Sequence, residues 1–371
     1  MATRTRAEWV LDHATALPEV WAIVAMHLGL VGAWRLMLVN KAANTGSKGF
    51  LRTLKGFVVT AAVDTTTKGV RGALSDVWRL NLSTLRWEAM PAMLLARHGH
   101  ACCTVRGTLV VLGGFNSEYE IASSVETLKL PKREGEGAFT ERPSLLCGGS
   151  TSAAAIAVEE SDGTAERVLV LGGRSQASPA SGIAPVATVH LVDLATGVCT
   201  PQPSLLRERW RFAATRLLDG RVVCAGGLDV NYMRLTSAEV LEPPPPPVQG
   251  ALGATSTWRE LPAMTVGRDG CCGCVLSDGR FAVLGGSAQG FLSSCEVLSV
   301  EDGEHWQPMP PMHDARYDFA CAAVAKCVVV AGGPLMSAEV YDEALNRWLR
   351  LPHGVPREGL DAGYGMCGAL L

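Results

Sequence analysis

The 371-residue sequence predicts an all-β fold, a six-bladed propeller of four-stranded blades preceded by a small helical segment, on three observations. First, a tryptophan is followed after four residues by proline and after six more by arginine. The copies are WEAMPAMLLAR (Trp87, Pro91, Arg97), WRELPAMTVGR (Trp258, Pro262, Arg268) and WQPMPPMHDAR (Trp306, Pro310, Arg316). The four-residue step to proline recurs at Phe139, Cys199 and Trp348, which makes six units and leaves one without its aromatic. Second, a glycine pair closes an apolar run in five units, as in VVLGG at Gly113 and Gly114, while FVVTAA carries Ala61 and Ala62 in the sixth. Third, a short run alternating apolar and polar residues, such as SVETLKL or AEVYDE, follows each pair. Alternation with period two marks a strand with one buried face, and six such units in one register are a ring of repeats.

The elements follow in chain order. Residues 1–14 form a flank without the apolar core of a secretory signal. Residues 15–50 stand outside the repeat. Their apolar positions, Val20, Ile23, Val24, Leu28, then Val31, Trp34, Met37 and Leu38, fall at helical spacing. Pro18 suits a first helical turn, and Gly29 and Gly32 divide the stretch into two or three short helices, too few residues to bury a core alone. Residues 51–371 form the propeller. In each unit the first strand follows the arginine, the next ends in the glycine pair, the third is the alternating run and the fourth carries the tryptophan, which fills the gap between blades. The first unit lacks a first strand and the chain ends in AGYGMCGALL, so the two ends are expected to complete one blade and leave no free edge.

Composition narrows the function. Charged residues are 19%, the net charge is -3 and the pI is near 6.3, which gives no reason to expect nucleic acid as a partner. No apolar run is read as long enough to cross a membrane, and the expected location is cytoplasmic or nuclear. The twelve cysteines contain no C-x-x-C, and several sit in strand-like stretches, as small hydrophobes do in a reducing compartment. His98, His100 and Cys102 would share one strand face but lack a ligand from elsewhere, so no metal site and no cofactor are assigned. EPPPPPVQGALGATS, from Glu242, reads as an exposed insertion.

The period of about 50 residues, with its glycine pair and tryptophan, resembles the kelch repeat. Leu17-Pro18-Glu19, an apolar helix to Leu28 and the run WRLMLVNKAA are similar to an F-box, although Asn40 replaces the usual cysteine and no tryptophan follows Lys41. Together they resemble F-box/kelch-repeat proteins, the substrate receptors of cullin-type ubiquitin ligases. That resemblance implies a non-catalytic adaptor. Leu17, Pro18, Ile23, Val24, Leu28, Leu30, Trp34, Leu38 and Val39 would bury against a Skp-type protein and through it a cullin, while the propeller holds a protein substrate. Two alternatives remain: the helices pack on the propeller of a plain interaction scaffold, or the blades carry an enzyme, as in kelch-type copper oxidases. The scattered tyrosines and histidines show no cluster for the latter.

The repeated arginine raises the question of a ligand. Arg97, Arg209, Arg268 and Arg316, with Arg357 one residue off register, would form a ring of positive charge at one mouth of the channel and read an acidic or phosphorylated segment. The competing expectation is that each guanidinium bonds backbone carbonyls or an acid such as Asp269, Asp318 or Glu358. Gly149 marks the corresponding position in the unit without arginine.

Overall fold

The computed structural model describes residues 14–54, 56–60, 63–65, 71–129, 137–158, 166–176, 182–244, 255–299, 303–356, 363–364 and 366–370. Six antiparallel four-stranded sheets form a ring. Innermost strand first, the blades are Cys367–Leu370, Phe57–Thr60, Val77–Asn81 and Arg86–Ala89 (blade one); Ala101–Val105, Thr108–Leu112, Val125–Lys129 and Thr140–Arg142 (two); Ala154–Val158, Arg167–Leu171, Val189–Asp193 and Cys199–Gln202 (three). Then come Ala213–Arg216, Val222–Ala225, Ala238–Glu242 and Thr257–Leu261 (four); Cys272–Val275, Phe281–Leu284, Cys295–Leu298 and Trp306–Met309 (five); Ala320–Val324, Cys327–Ala331, Ala338–Asp342 and Arg347–Arg350 (six). The expected closure is present: Phe57 pairs with Leu370 and Thr60 with Cys367, so the C-terminal strand completes the blade begun near the N-terminus.

Each landmark has a packing reason. The innermost strands begin with Cys367, Ala101, Ala154, Ala213, Cys272 and Ala320, because six strands converging on one axis leave room only for small side chains. The second strands, sheltered on both faces, are buried throughout in blades one, four, five and six, and apolar except for Thr60 of blade one. Gly226 has φ of 72° and a Cβ there would meet the Arg268 carbonyl oxygen at 2.7 Å. The next residue, Gly227, donates its N–H to that same carbonyl at 2.8 Å, so the pair lets one blade bond the next. The tryptophans staple blades as well. The indole N–H groups of Trp258, Trp306 and Trp348 donate to the carbonyls of Pro203, Pro262 and Pro310 in the preceding blade at 2.8, 2.7 and 2.9 Å. Ala61, Ala62 and residues 245–254 of the proline-rich stretch lie outside the described residues.

Among the described residues two long helices precede the ring, α1 (Pro18–Leu36) and α2 (Lys41–Thr53), the second ending a few residues beyond the expected boundary at 50. Asn40, the residue in place of cysteine, is the N-cap of α2, its side chain accepting the Ala43 N–H at 2.8 Å. Gly29 breaks α1 with φ of 74°, as expected, whereas Gly32 stays helical. The break lets Leu30 N–H reach the Ala325 carbonyl of blade six at 3.1 Å, and the Trp34 indole donates to Leu82 O at 2.7 Å. Ala25, Leu30, Val31 and Ala33 join Phe57, Val59, Leu80, Ala322, Val324 and Val329 in one core cluster. By length and composition α1 is apolar enough to cross a membrane, which corrects the reading that no run reaches that length. Its second half is instead part of the core between blades six and one.

Candidate functional site

The four repeated arginines are in the fold, not at a surface. Arg97, Arg209, Arg268 and Arg316 are at most 1% exposed. Each spends its fork within its own blade. Arg268 donates to the carbonyls of Gly285 and Ser294 at 2.8 and 2.9 Å and to Glu296 at 2.7 Å. Arg316 does the same with Gly332, Ser337 and Glu339, at 2.8, 2.7 and 2.8 Å. Arg97 pairs with Glu126 and Arg209 with Glu239 in the same way. The second carboxylate oxygen accepts a backbone N–H three residues before the arginine, from Leu94, Leu206, Thr265 or His313. Burial pushes the Glu339 carboxyl up, but the His313 N–H and Arg316 outweigh it and hold it below the usual range. A guanidinium so enclosed is out of a ligand's reach, which favours packing over ligand reading for these four. Arg357 and Glu358 lie outside the described residues.

For these four arginines the partner acids are not the expected Asp269 or Asp318. The glutamates come from a Ser-x-Glu triplet (Ser124, Ser237, Ser294 and Ser337 with Glu126, Glu239, Glu296 and Glu339), 23 to 30 residues beyond each arginine. That triplet was visible as a repeat inside the alternating runs. In blade three the equivalent of arginine is Ser150, not Gly149. Gly114 N–H bonds the Ser150 carbonyl as Gly173 N–H bonds that of Arg209, and the Ser150 hydroxyl donates to Gly172 O at 3.3 Å. The register places His190 of blade three and Trp78 of blade one where the glutamates stand elsewhere.

Two residues beyond the arginine position the backbone turns left-handed: Gly99, Ser152, Arg211, Gly270 and Asp318 have φ between 49° and 62°. These residues form a collar, each N–H bonding the carbonyl of the preceding blade: Ser152 to Gly99, Arg211 to Ser152, Gly270 to Arg211, Asp318 to Gly270, then Met366 to Asp318, at 2.6 to 3.1 Å. Because Gly270 has no side chain, Arg211 and the Tyr317 ring meet over it. Arg211 pairs with Asp318 at 3.3 Å and Arg234 with Asp269 at 2.8 Å. Burial works against the Arg211 charge, but Asp318, Tyr317 and Asp269 raise its pKa, while burial raises that of Asp318.

Aromatic and cationic groups crowd this mouth. Trp210 is packed between two guanidiniums, with Arg174 and Arg211 lying 4.8 and 5.2 Å from its ring. Tyr232 meets its edge, and Phe291 stacks on Tyr317 at 5.5 Å. Among the described residues, buried Arg174 Nε and Trp210 Nε1 have no hydrogen-bond partner. Tyr119, Tyr232 and Phe291 are about half exposed or more. Sequence reading missed these residues because they occupy the positions at which the repeats differ. His98 packs against Phe115, whereas buried His100 shares a 2.6 Å hydrogen bond with Thr60 of blade one, so the possible ligand trio is directed to separate neighbours.

The Kelch motif family model matches residues 96–130, from the arginine of blade two through its Ser-x-Glu strand. The ring is a six-bladed propeller, and its second blade matches the kelch motif. Over 117 residues the chain is 30% identical to Kelch domain-containing protein 8B of Rattus norvegicus, covering 26% of this chain and 32% of that one. It is likewise 30% identical to an F-box/kelch-repeat protein of Arabidopsis thaliana over 125 residues, 28% of this chain and 32% of that one. The match thus spans about a third of the length of each of these relatives.

The sequence-predicted adaptor residues divide between two faces. Leu30 is buried and Trp34 partly so, against the propeller. Leu17, Ile23, Leu28, Leu38 and Val39 are 51 to 89% exposed, with Pro18 and Val24 between these extremes.

Proposed function

We propose that this protein is a non-catalytic substrate receptor of a cullin-type ubiquitin ligase, working in the cytoplasm or nucleus. The helical pair docks a Skp-type adaptor, and the collar face of the propeller holds a protein substrate. One observation carries the reading: α1 and α2 already bury one side against blades six and one, yet Leu17, Ile23, Met26, Leu28, Leu38 and Val39 stay exposed in the same segment. Large apolar groups concentrated in one short segment mark an interaction site. The F-box resemblance, with the likeness to a protein carrying both an F-box and kelch repeats, supports a Skp-type occupant. On the propeller, the exposed rings of Tyr119, Tyr232 and Phe291 suit contact with a protein segment.

The test is capture of purified Skp-type adaptor by the full chain. Wild type is expected to retain it, and Ile23→Asp with Leu28→Asp to lose it with an unchanged melting temperature, since both side chains are exposed. A wild type that captures nothing, or a double variant that captures as well, overturns the ligase reading. It would then leave the second one, an interaction scaffold whose helices only cap the ring, which the burial of Leu30 and Val31 favours.

A further inference from the structure

Blade three lacks the inter-blade staple of blades four, five and six. In blades four, five and six a tryptophan on the outer strand donates to the proline carbonyl of the preceding blade. Cys199 holds that position in blade three, four residues before Pro203 as Trp258 is before Pro262. It has no indole to reach Pro143. Instead, its Sγ lies 2.6 Å from Sγ of Cys147, in the connection that follows the last strand of blade two, and it accepts the Cys147 N–H at 3.3 Å. The connection is held in place, since Leu146 N–H bonds Gly197 O at 3.0 Å in the turn before Cys199. Cys147 is exposed, whereas the sulfurs of Cys102 and Cys367, 2.7 Å apart, and those of Cys321 with Cys272 and Cys274 meet on the inner strands.

We propose that Cys147 and Cys199 form a reversible disulfide that takes the place of the missing tryptophan staple and locks blade three to the connection from blade two under oxidising conditions. Their sulfurs are already held about half an ångström beyond the ~2.04 Å of a disulfide bond. A small disulfide such as oxidised glutathione is the oxidant. One thiolate attacks it and expels a glutathione thiolate, the second cysteine resolves the mixed disulfide and expels another, and the two thiol protons end on the two reduced glutathiones. Burial and the Cys199 contact push the Cys147 thiol up to about 12, so the reaction is slow near neutral pH and quickens as pH rises. The lock bears on the collar face. Three residues past Cys147 the chain reaches Ser150, then Thr151, whose backbone pairs both ways with that of Arg174 at 3.0 and 2.8 Å.

The full chain is to be equilibrated in glutathione buffers from reduced to oxidised, its free thiols alkylated and its peptides mapped by mass spectrometry. The expected result is a Cys147–Cys199 linked peptide that grows with oxidation and disappears in dithiothreitol, with a rise in melting temperature of about 5 °C. Cys147→Ser and Cys199→Ser, both conservative, should melt like reduced wild type and lose the rise. Recovery of both cysteines as alkylated residues in fully oxidised buffer overturns the proposal. So does glutathione on each cysteine without a link, a link confined to Cys102 and Cys367, or a rise that persists in Cys147→Ser.

Discussion

Blades two, four, five and six are built alike, and blades one and three are not. The four carry a buried arginine whose fork ties the first glycine of the pair to the Ser-x-Glu strand. Blade three has Ser150 and His190 at those positions and blade one has Trp78 in place of the glutamate. The difference teaches that arginine and glutamate are one unit. Either alone would leave a charge without water, which costs several kcal/mol, and in blade three the two are missing together. The odd blades then hold to their neighbours differently: blade one through the two chain ends and the Thr60 to His100 bond, blade three through its cysteines.

The largest effect is expected where blade one is made from both ends. Removing residues 366–371 strips Phe57–Thr60 of its inner partner and leaves blades six and two without a neighbour between them. Such a chain should aggregate or lose its cooperative unfolding transition, followed by circular dichroism and size-exclusion chromatography. An unchanged melting curve would mean that the ring does not depend on this strand.

Next comes the arginine unit. Arg268→Ala leaves Glu296 buried and without its cation, so a loss of about 3–5 kcal/mol in denaturant unfolding is expected. Replacing Glu296 as well, Arg268→Ser with Glu296→His in imitation of blade three, should cost clearly less than the sum of the single changes. Additive losses would refute the view of arginine and glutamate as one unit.

The periodic half of this molecule was legible from its residues, and the aperiodic half was not. Trp258, Pro262 and the glycine pairs repeat because the same backbone must be packed six times, so spacing alone placed the blades and the closing strand. The arginines repeated for that same reason, which made them core. Arg174, Trp210, Arg211 and Tyr317 gather at the mouth only because equivalent turns meet around the axis, and their identities follow no period. Two-faced packing of α1 was equally hidden, since Leu28 and Leu30 look alike in sequence although one is 51% exposed and the other buried.

The junction of blades one and two should respond to pH. Burial, with Arg97 and His98 nearby, lowers the pKa of His100 to about 3, against about 6.5 in an unfolded chain. Below the unfolded value the unfolded chain binds the extra proton, so stability should fall as pH drops from about 6.5 toward 3, by about 2–4 kcal/mol in all. His100→Asn, which can still bond Thr60, should flatten the slope between pH 6.5 and 5, where the carboxylates hardly titrate. An unaltered slope would place the pH response elsewhere.

The smallest effect sharpens the comparison most. Ser150 does the arginine's work with one neutral hydrogen bond to Gly172 O, and it is only partly buried. No carboxylate waits across from it. His190 stands at the glutamate position, and burial lowers its pKa, so it is uncharged at neutral pH. Ser150→Ala therefore strands no ion and removes one bond whose donor is only partly buried, for an expected loss of about 1 kcal/mol. Because no ion pair is involved, this loss should be the same in low and high salt. A loss as large as that of Arg268→Ala would show that blade three relies on this position as heavily as its neighbours do, and the distinction between the two kinds of blade would fall.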